Sequence, residues 1–282
     1  MISTVTVVYE KELDLLKTQA QSFDLYLKTP GDIIVISNTL DPLDIDLNWW
    51  GKHKHKVQLH TRESIGYKRL VGIDGRETQQ ICKLLAPLKA STDWSLWFDA
   101  KTFLVRDLYP KQLLEDNNKF RTNLMPVIDK FSDGFKVCKE LLKFEEDDEY
   151  WMAPGGMPYP VNRNVLLRLQ EYVKITTGSD LVDWFEKYSQ YPHFVTEMIL
   201  YSQFARTVFD EYYSNERPRY KCANLADWQL RETQDFWDQL EDPEVLTASV
   251  KADAWYLMSG GQQKQWLRYL KTKGLQYDAQ GR

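Results

Sequence analysis

Apolar positions in the first third of the chain follow two periods in turn. Thr4 to Tyr9 (TVTVVY) is a β-branched run ending in an aromatic ring, which predicts a strand. In the following EKELDLLKTQAQSFDLYL, Leu13, Leu16, Ala20, Phe23 and Leu27 recur at helical spacing. Pro30-Gly31 punctuates the chain, and Asp32 to Ser37 (DIIVIS) is nearly all apolar, as a parallel strand covered on both faces must be. A strand, a helix and a strand make one βαβ unit, whose right-handed crossover brings the ends near Tyr9 and Ser37 to one crevice. Val57 to His60 predicts a third short strand. Glu77 to Ala90 predicts a helix with Ile81, Leu84, Leu85 and Leu88 on one stripe, interrupted by Pro87. Trp94 to Asp99 (WSLWFD) is a strand ending in a carboxylate, and Phe103 to Val105 is apolar again. This alternation predicts an α/β fold with an open, mostly parallel sheet.

Beyond Asp107 the pattern predicts polar helices, a charged stretch from Lys143 to Glu149, and a loop from Met152 to Pro160 (MAPGGMPYP) at a surface or a ligand site. Helices are expected around Val165 to Val173, Asp180 to Tyr188 and Thr196 to Phe209. A strand and turn are expected over Ala248 to Met258, and a last amphipathic helix over Gln262 to Lys273. No repeat or linker divides the 282 residues, so they read as one domain. Residues 111–282 are expected to be mostly helical.

Composition narrows the function. A net charge of −5 gives no general attraction for a polyanion, which argues against extended nucleic-acid binding. Cys82, Cys138 and Cys222 are far apart and form no CxxC pair, so they read as reduced thiols. The start MISTVTVVYEKEL lacks the pattern of a signal peptide, and no apolar run is long enough to span a bilayer; the expectation is a cytoplasmic protein without a transmembrane segment. Aromatic residues reach 13%, which serves either a bulky core or platforms for bases and sugar rings. GxSxG, HExxH, Walker A and GxGxxG patterns are absent, which removes the common hydrolase, protease and nucleotide-triphosphatase readings.

The ordered set TVVY, GRETQQICKLLA, WSLWFDAK, the Pro/Gly loop leading into VNRNVLLRL, and FVTEMILYSQFA resembles a bacterial and phage group, the DUF6492 type, grouped with GT-A glycosyltransferases. The likeness covers residues 1 to about 260. It implies a GT-A-like (Rossmann-like) fold that binds a nucleotide-sugar donor and a glycan or other hydroxyl acceptor, with a nucleotide-binding half over residues 1–110 and an acceptor-side, mostly helical half over residues 111–282. In that fold a strand ends in Asp-x-Asp, whose acids hold a divalent metal across the donor's two phosphates. The element here is Asp99-Ala100-Lys101, and a cation in place of the second acid repels Mg²⁺ or Mn²⁺. The region where the family places a histidine ligand, Thr247 to Asp253, contains Lys251 instead. An ammonium can deliver positive charge to the same phosphate oxygens. The expectation is therefore metal-free transfer, with Lys101 and Lys251 replacing the metal and Asp99 contacting ribose or sugar hydroxyls. The rival expectation is an inactive relative that binds carbohydrate or nucleotide.

Several residues join this candidate site. Tyr9, at the crevice, either stacks on a base or belongs to the core. Arg76, Gln79, Gln80 and Lys83 fall three or four apart on one helical face, suited to phosphate and hydroxyl binding if that face meets the crevice and otherwise an exposed surface. Glu197, which the resemblance places on the acceptor side, is the candidate base; Thr196-Glu197 is equally ordinary capping chemistry. His193 reads as structural. His53, His55 and His60 alternate with lysines, so they read as a solvated basic loop or strand edge and not as metal ligands.

Overall fold

A computed structural model describes the chain except residues 40, 69–74, 116–117, 144–149, 154–156, 215–219, 226–232, 251 and 278–282. In chain order the elements are β1 (Ile2–Val8), α1 (Leu13–Tyr26), β2 (Pro30–Ser37), β3 (Val57–Thr61), α2 (Gly75–Leu85), β4 (Trp94–Asp99), β5 (Thr102–Leu104), β6 (Phe120–Arg121) and β7 (Asn123–Pro126). They continue with α3 (Ser132–Leu142), β8 (Tyr150–Ala153), β9 (Tyr159–Asn162), α4 (Arg163–Thr177), α5 (Leu181–Ser189), α6 (Glu197–Val208) and β10 (Tyr213–Ser214). The last are β11 (Lys221–Leu225), α7 (Thr233–Glu241), β12 (Val245–Val250), α8 (Ala252–Leu257) and α9 (Gly260–Thr272).

The central sheet has the order β3-β2-β1-β4-β9. β1 is buried along its whole length because β2 and β4 flank it in parallel and helices cover it, so that even Ser3, Thr4 and Thr6 lie in the interior. β9 runs antiparallel to β4 and closes that side, while β3 stays at the other edge. A smaller sheet, β11-β12-β5, has its own apolar core around Phe103, Leu225, Phe236 and Trp266. β5 thus leaves the central sheet at Asp99 and pairs antiparallel with β12. The turn between β4 and β5 joins the two sheets.

Several expectations shift. β2 begins at Pro30, whose missing N–H costs little at the first residue of a strand. Pro87 does not interrupt a single helix; α2 ends at Leu85 and residues 86–89 tighten into a 3₁₀ turn. The strand expected from Ala248 lies at Val245–Val250, and the positions after it form α8. Residues 111–282 hold β6 to β12 as well as helices. β6 to β11 are short and pair with partners distant in sequence, so local periodicity did not announce them. Many large aromatics go to the core: Trp50, Trp97, Trp266, Tyr67, Tyr159 and Tyr201 are all buried.

Candidate functional site

The C-terminal end of β4 is where the chemistry gathers. Val7 of β1 lies beside Asp99 of β4, so both strands deliver their ends to the same edge of the sheet. α1 then secures the turn that follows. Gln19, buried on its inner face, donates Nε2 to the carbonyls of Asp99 (2.7 Å) and Thr102 (2.9 Å), while its Oε1 accepts from Thr6 Oγ1 at 2.8 Å. Ser22 Oγ accepts the amide of Leu104 at 3.1 Å. These bonds satisfy polar groups that the bend between two sheets would otherwise strand in the interior.

Asp99 is gripped from two sides. Lys83 Nζ, from α2, donates to Asp99 Oδ1 at 2.8 Å, and Lys101 Nζ meets Oδ2 at 3.2 Å. Lys83 also donates to Glu197 Oε1 at 3.2 Å, which ties the first residue of α6 to the end of β4. The side chains of Lys83 and Glu197 are each 5% exposed, Asp99 20% and Lys101 28%, so Lys101 is the most open member of the knot. Burial by itself raises the Asp99 carboxyl, but the ammonium groups of Lys83 and Lys101 outweigh it and hold that carboxyl well below the usual range. Burial likewise opposes charge on Lys83, and Asp99 and then Glu197 overcome it, so its ammonium is held charged above the ordinary lysine range. Lys83 is therefore a fixed cation and not a proton donor or acceptor near neutral pH.

Sequence reasoning passed over Glu12, Gln19 and Asn38. Glu12 Oε2 accepts the Tyr9 amide at 3.3 Å. Burial raises its carboxyl, against the lowering influence of that amide and of Lys101 nearby. Asn38, buried after β2, donates Nδ2 to the Gly75 carbonyl at 3.2 Å, and among the described residues its Oδ1 has no partner. The signal for Gln19 was legible in principle, since Thr18, Gln19 and Ser22 place polar groups among the apolar positions of α1 and all three are buried.

The structure thus brings Lys83, Asp99, Lys101 and Glu197 together. Tyr9 stands beside them with its ring against the start of α2; a side chain at Gly75 would come within 3.0 Å of that ring, which is why glycine fits there. On α2 the residues expected to act as one face separate by burial. Gln80 and Lys83 are buried, Gln79 is half-buried and Arg76 is exposed, because the helix turns its later residues toward β1 and α6. Thr196 does cap α6, accepting the Ile199 amide at 3.2 Å, yet the Glu197 side chain reaches Lys83. Lys251 and residues 144–149 and 154–156 lie outside the described residues. Met157, at the end of the Pro/Gly loop, is held by Thr247, whose Oγ1 donates to its carbonyl at 2.8 Å.

The basic segment corrects one expectation. His53 is not solvated; it is buried with Nε2 2.9 Å from the Leu27 carbonyl, while His55 is exposed and His60 lies on the edge strand β3. His193 packs against Tyr188, with ring centroids 5.3 Å apart. All three cysteines are free. No described helix is long and apolar enough to cross a membrane.

The charges at this edge bear on whether a divalent ion could be held there. Both oxygens of Asp99 already face ammonium groups, Lys101 fills the second acid position, and among the described residues no cluster of three His, Cys, Asp or Glu could hold a metal.

The parallel order β3-β2-β1-β4 with antiparallel β9, the acid ending β4, and the small sheet beyond it make this a GT-A-like α/β fold. The chain is similar over 97% of its length to the crystal structure of galactosyltransferase LgtC in complex with donor and acceptor sugar analogues, covering 95% of that chain, with a TM-score of 0.52 and 11% identity. An active-site mutant of LgtC gives a TM-score of 0.52 at 13% identity, covering 97% of this chain and 95% of that one. The apo glycosyltransferase GlyE of Streptococcus pneumoniae TIGR4 gives 0.49 at 14%, covering 95% of this chain and 59% of that one. At identities this low the two LgtC likenesses show the fold alone. No curated protein matches the chain in sequence. The chain belongs to the Family of unknown function (DUF6492), whose pattern matches residues 4–253.

Proposed function

We propose that the protein is a glycosyltransferase that moves a sugar from a nucleotide-diphosphate donor to a hydroxyl acceptor without a divalent metal. The observation that carries this reading is the pairing of two lysines on the carboxylate that ends β4, in a fold whose solved likenesses are glycosyltransferases. In transfer, the bond between the anomeric carbon and the leaving phosphate oxygen breaks, and the acceptor oxygen takes its place. The leaving diphosphate gains charge, which a cation in a partly dry site stabilises strongly. Lys101 is suited to that task because it is exposed enough to exchange Asp99 Oδ2 for phosphate oxygens. Lys83 is a positioning residue that holds Asp99 and Glu197 at fixed separation. With Oε1 given to Lys83, Glu197 has Oε2 to receive the proton of an acceptor hydroxyl. Asp99 is then placed for sugar or ribose hydroxyls, Tyr9 for the base, and Arg76, Gln79 and Gln80 for the phosphate and sugar along α2. Lys251 stays in this proposal as a second phosphate ligand.

Thermal protection by UDP, GDP, CMP and their sugar conjugates, with EDTA and with Mn²⁺, tests the proposal. Protection in EDTA is the expected result. Protection only with Mn²⁺ overturns the metal-free part, and no protection in either condition overturns the donor reading. Binding without turnover points to the carbohydrate- or nucleotide-binding alternative.

A further inference from the structure

A second cleft, of about 380 Å³, lies on the other side of α1. The inner face of that helix reaches Asp99 through Gln19, whereas Gln21 and Asp24 turn away and line the cleft with Asn48, Trp49, Gly51 and Gln276. About 10 Å of helix thickness therefore separates it from the site at β4.

Its parts are held in place. The Trp49 ring stacks on buried Trp50, with centroids 6.2 Å apart and planes 26° from parallel. Asp24 Oδ1 accepts the Lys52 amide at 2.9 Å, which leaves Oδ2 as a second acceptor. That carboxylate lies against the backbone of Gly51 at φ 46°, where an added Cβ would sit 2.4 Å from its Cγ and Oδ2; only glycine permits both the conformation and the approach. The Gln276 amide donates to Gln21 Oε1 at 3.0 Å, so the Nε2 group of Gln21 remains as a donor. Asn48 is oriented by Asp46, which accepts from its Nδ2 at 2.9 Å.

An anchored indole face, a carboxylate and side-chain amides around an open cleft suit a pyranose. The ring's C–H face covers the indole, and its hydroxyls donate to the carboxylate and accept from the amides. Among the described residues that line the cleft Asp24 bears the one charge; Lys54 Nζ, at its rim, donates to Asn48 Oδ1 at 3.3 Å, and Asp24 disfavours an anion. We infer that this cleft is a binding site for a neutral saccharide, separate from the site at β4 and independent of whether that site transfers sugar.

The test is binding of the full chain to immobilised neutral oligosaccharides ending in glucose, galactose, mannose or N-acetylglucosamine. It is repeated with Trp49→Ala, with the double substitution Asn48→Ala and Gln276→Ala at two exposed positions, and with Lys101→Ala at the β4 site. Wild type and Lys101→Ala should bind the same glycan, Trp49→Ala should lose at least about tenfold in affinity, and the double variant should lose about threefold or more at unchanged Tm. Wild-type affinity in the double variant, loss of binding in Lys101→Ala, or no glycan held by the wild type at about 10 mM overturns the inference.

Discussion

One lysine bridges two carboxylates at two places in this molecule. Lys83 joins Asp99 and Glu197 at 2.8 and 3.2 Å, and Lys221 joins Asp242 and Glu244 at 2.7 and 2.9 Å. The distances are alike, but the surroundings are not. Lys83 and Glu197 are buried and come from α2 and α6, 114 residues apart, whereas Lys221 opens β11 and, like Glu244, is exposed, with half-buried Asp242 beside them just before the parallel neighbour β12. In water the ions of the second triad keep most of their hydration, so forming or breaking the pairs changes little. In the first, each charge depends on the others, since removing one leaves a buried partner uncompensated. Distance alone therefore does not reveal what an ion pair contributes.

The strongest way to break the contrast is Lys83→Met, which strands Asp99 and Glu197. Unfolding should become easier by about 3–5 kcal/mol, read by urea denaturation, and the thermal shift with whichever nucleotide sugar protects the wild type should vanish. Glu197→Gln keeps the shape of the knot and removes the proposed base; transfer should fall by about 10²- to 10⁴-fold while the donor still binds. An unchanged rate would return Glu197 to a structural part.

Asp99→Asn sharpens the comparison through pH. The folded carboxyl lies below its ordinary value of 3.8, so its stabilisation is present above that value and disappears as pH falls through the folded one. The variant should be less stable than wild type by about 2 kcal/mol at pH 7, with the gap shrinking below about pH 4. Lys101→Ala, at the open side of the knot, should cost about 1 kcal/mol or less in stability but about tenfold in donor affinity. Lys221→Ala, the exposed counterpart, should leave the Tm and donor binding unchanged. A marked drop in Tm there would overturn the contrast.

Local sequence determined a good deal of this protein. The βαβ start, the strand Trp94 to Asp99 and the helices α4, α5, α6 and α9 were legible because each buries one continuous stripe or a fully apolar run, and burial of that kind repeats at a fixed period. The Asp99-Ala100-Lys101 element marked one edge of the site for the same reason: it follows a strand whose end is visible. The short strands β6 to β11 were not legible, since each is two to five residues long and depends on a partner brought from elsewhere. Tertiary structure alone decided that Lys83, expected on a helical face with Arg76, is a buried cation shared by Asp99 and Glu197, and that Gln19 holds the turn between the two sheets. Charge and polarity are written in the sequence, but the desolvation that gives a charge its weight exists only once distant segments have packed around it.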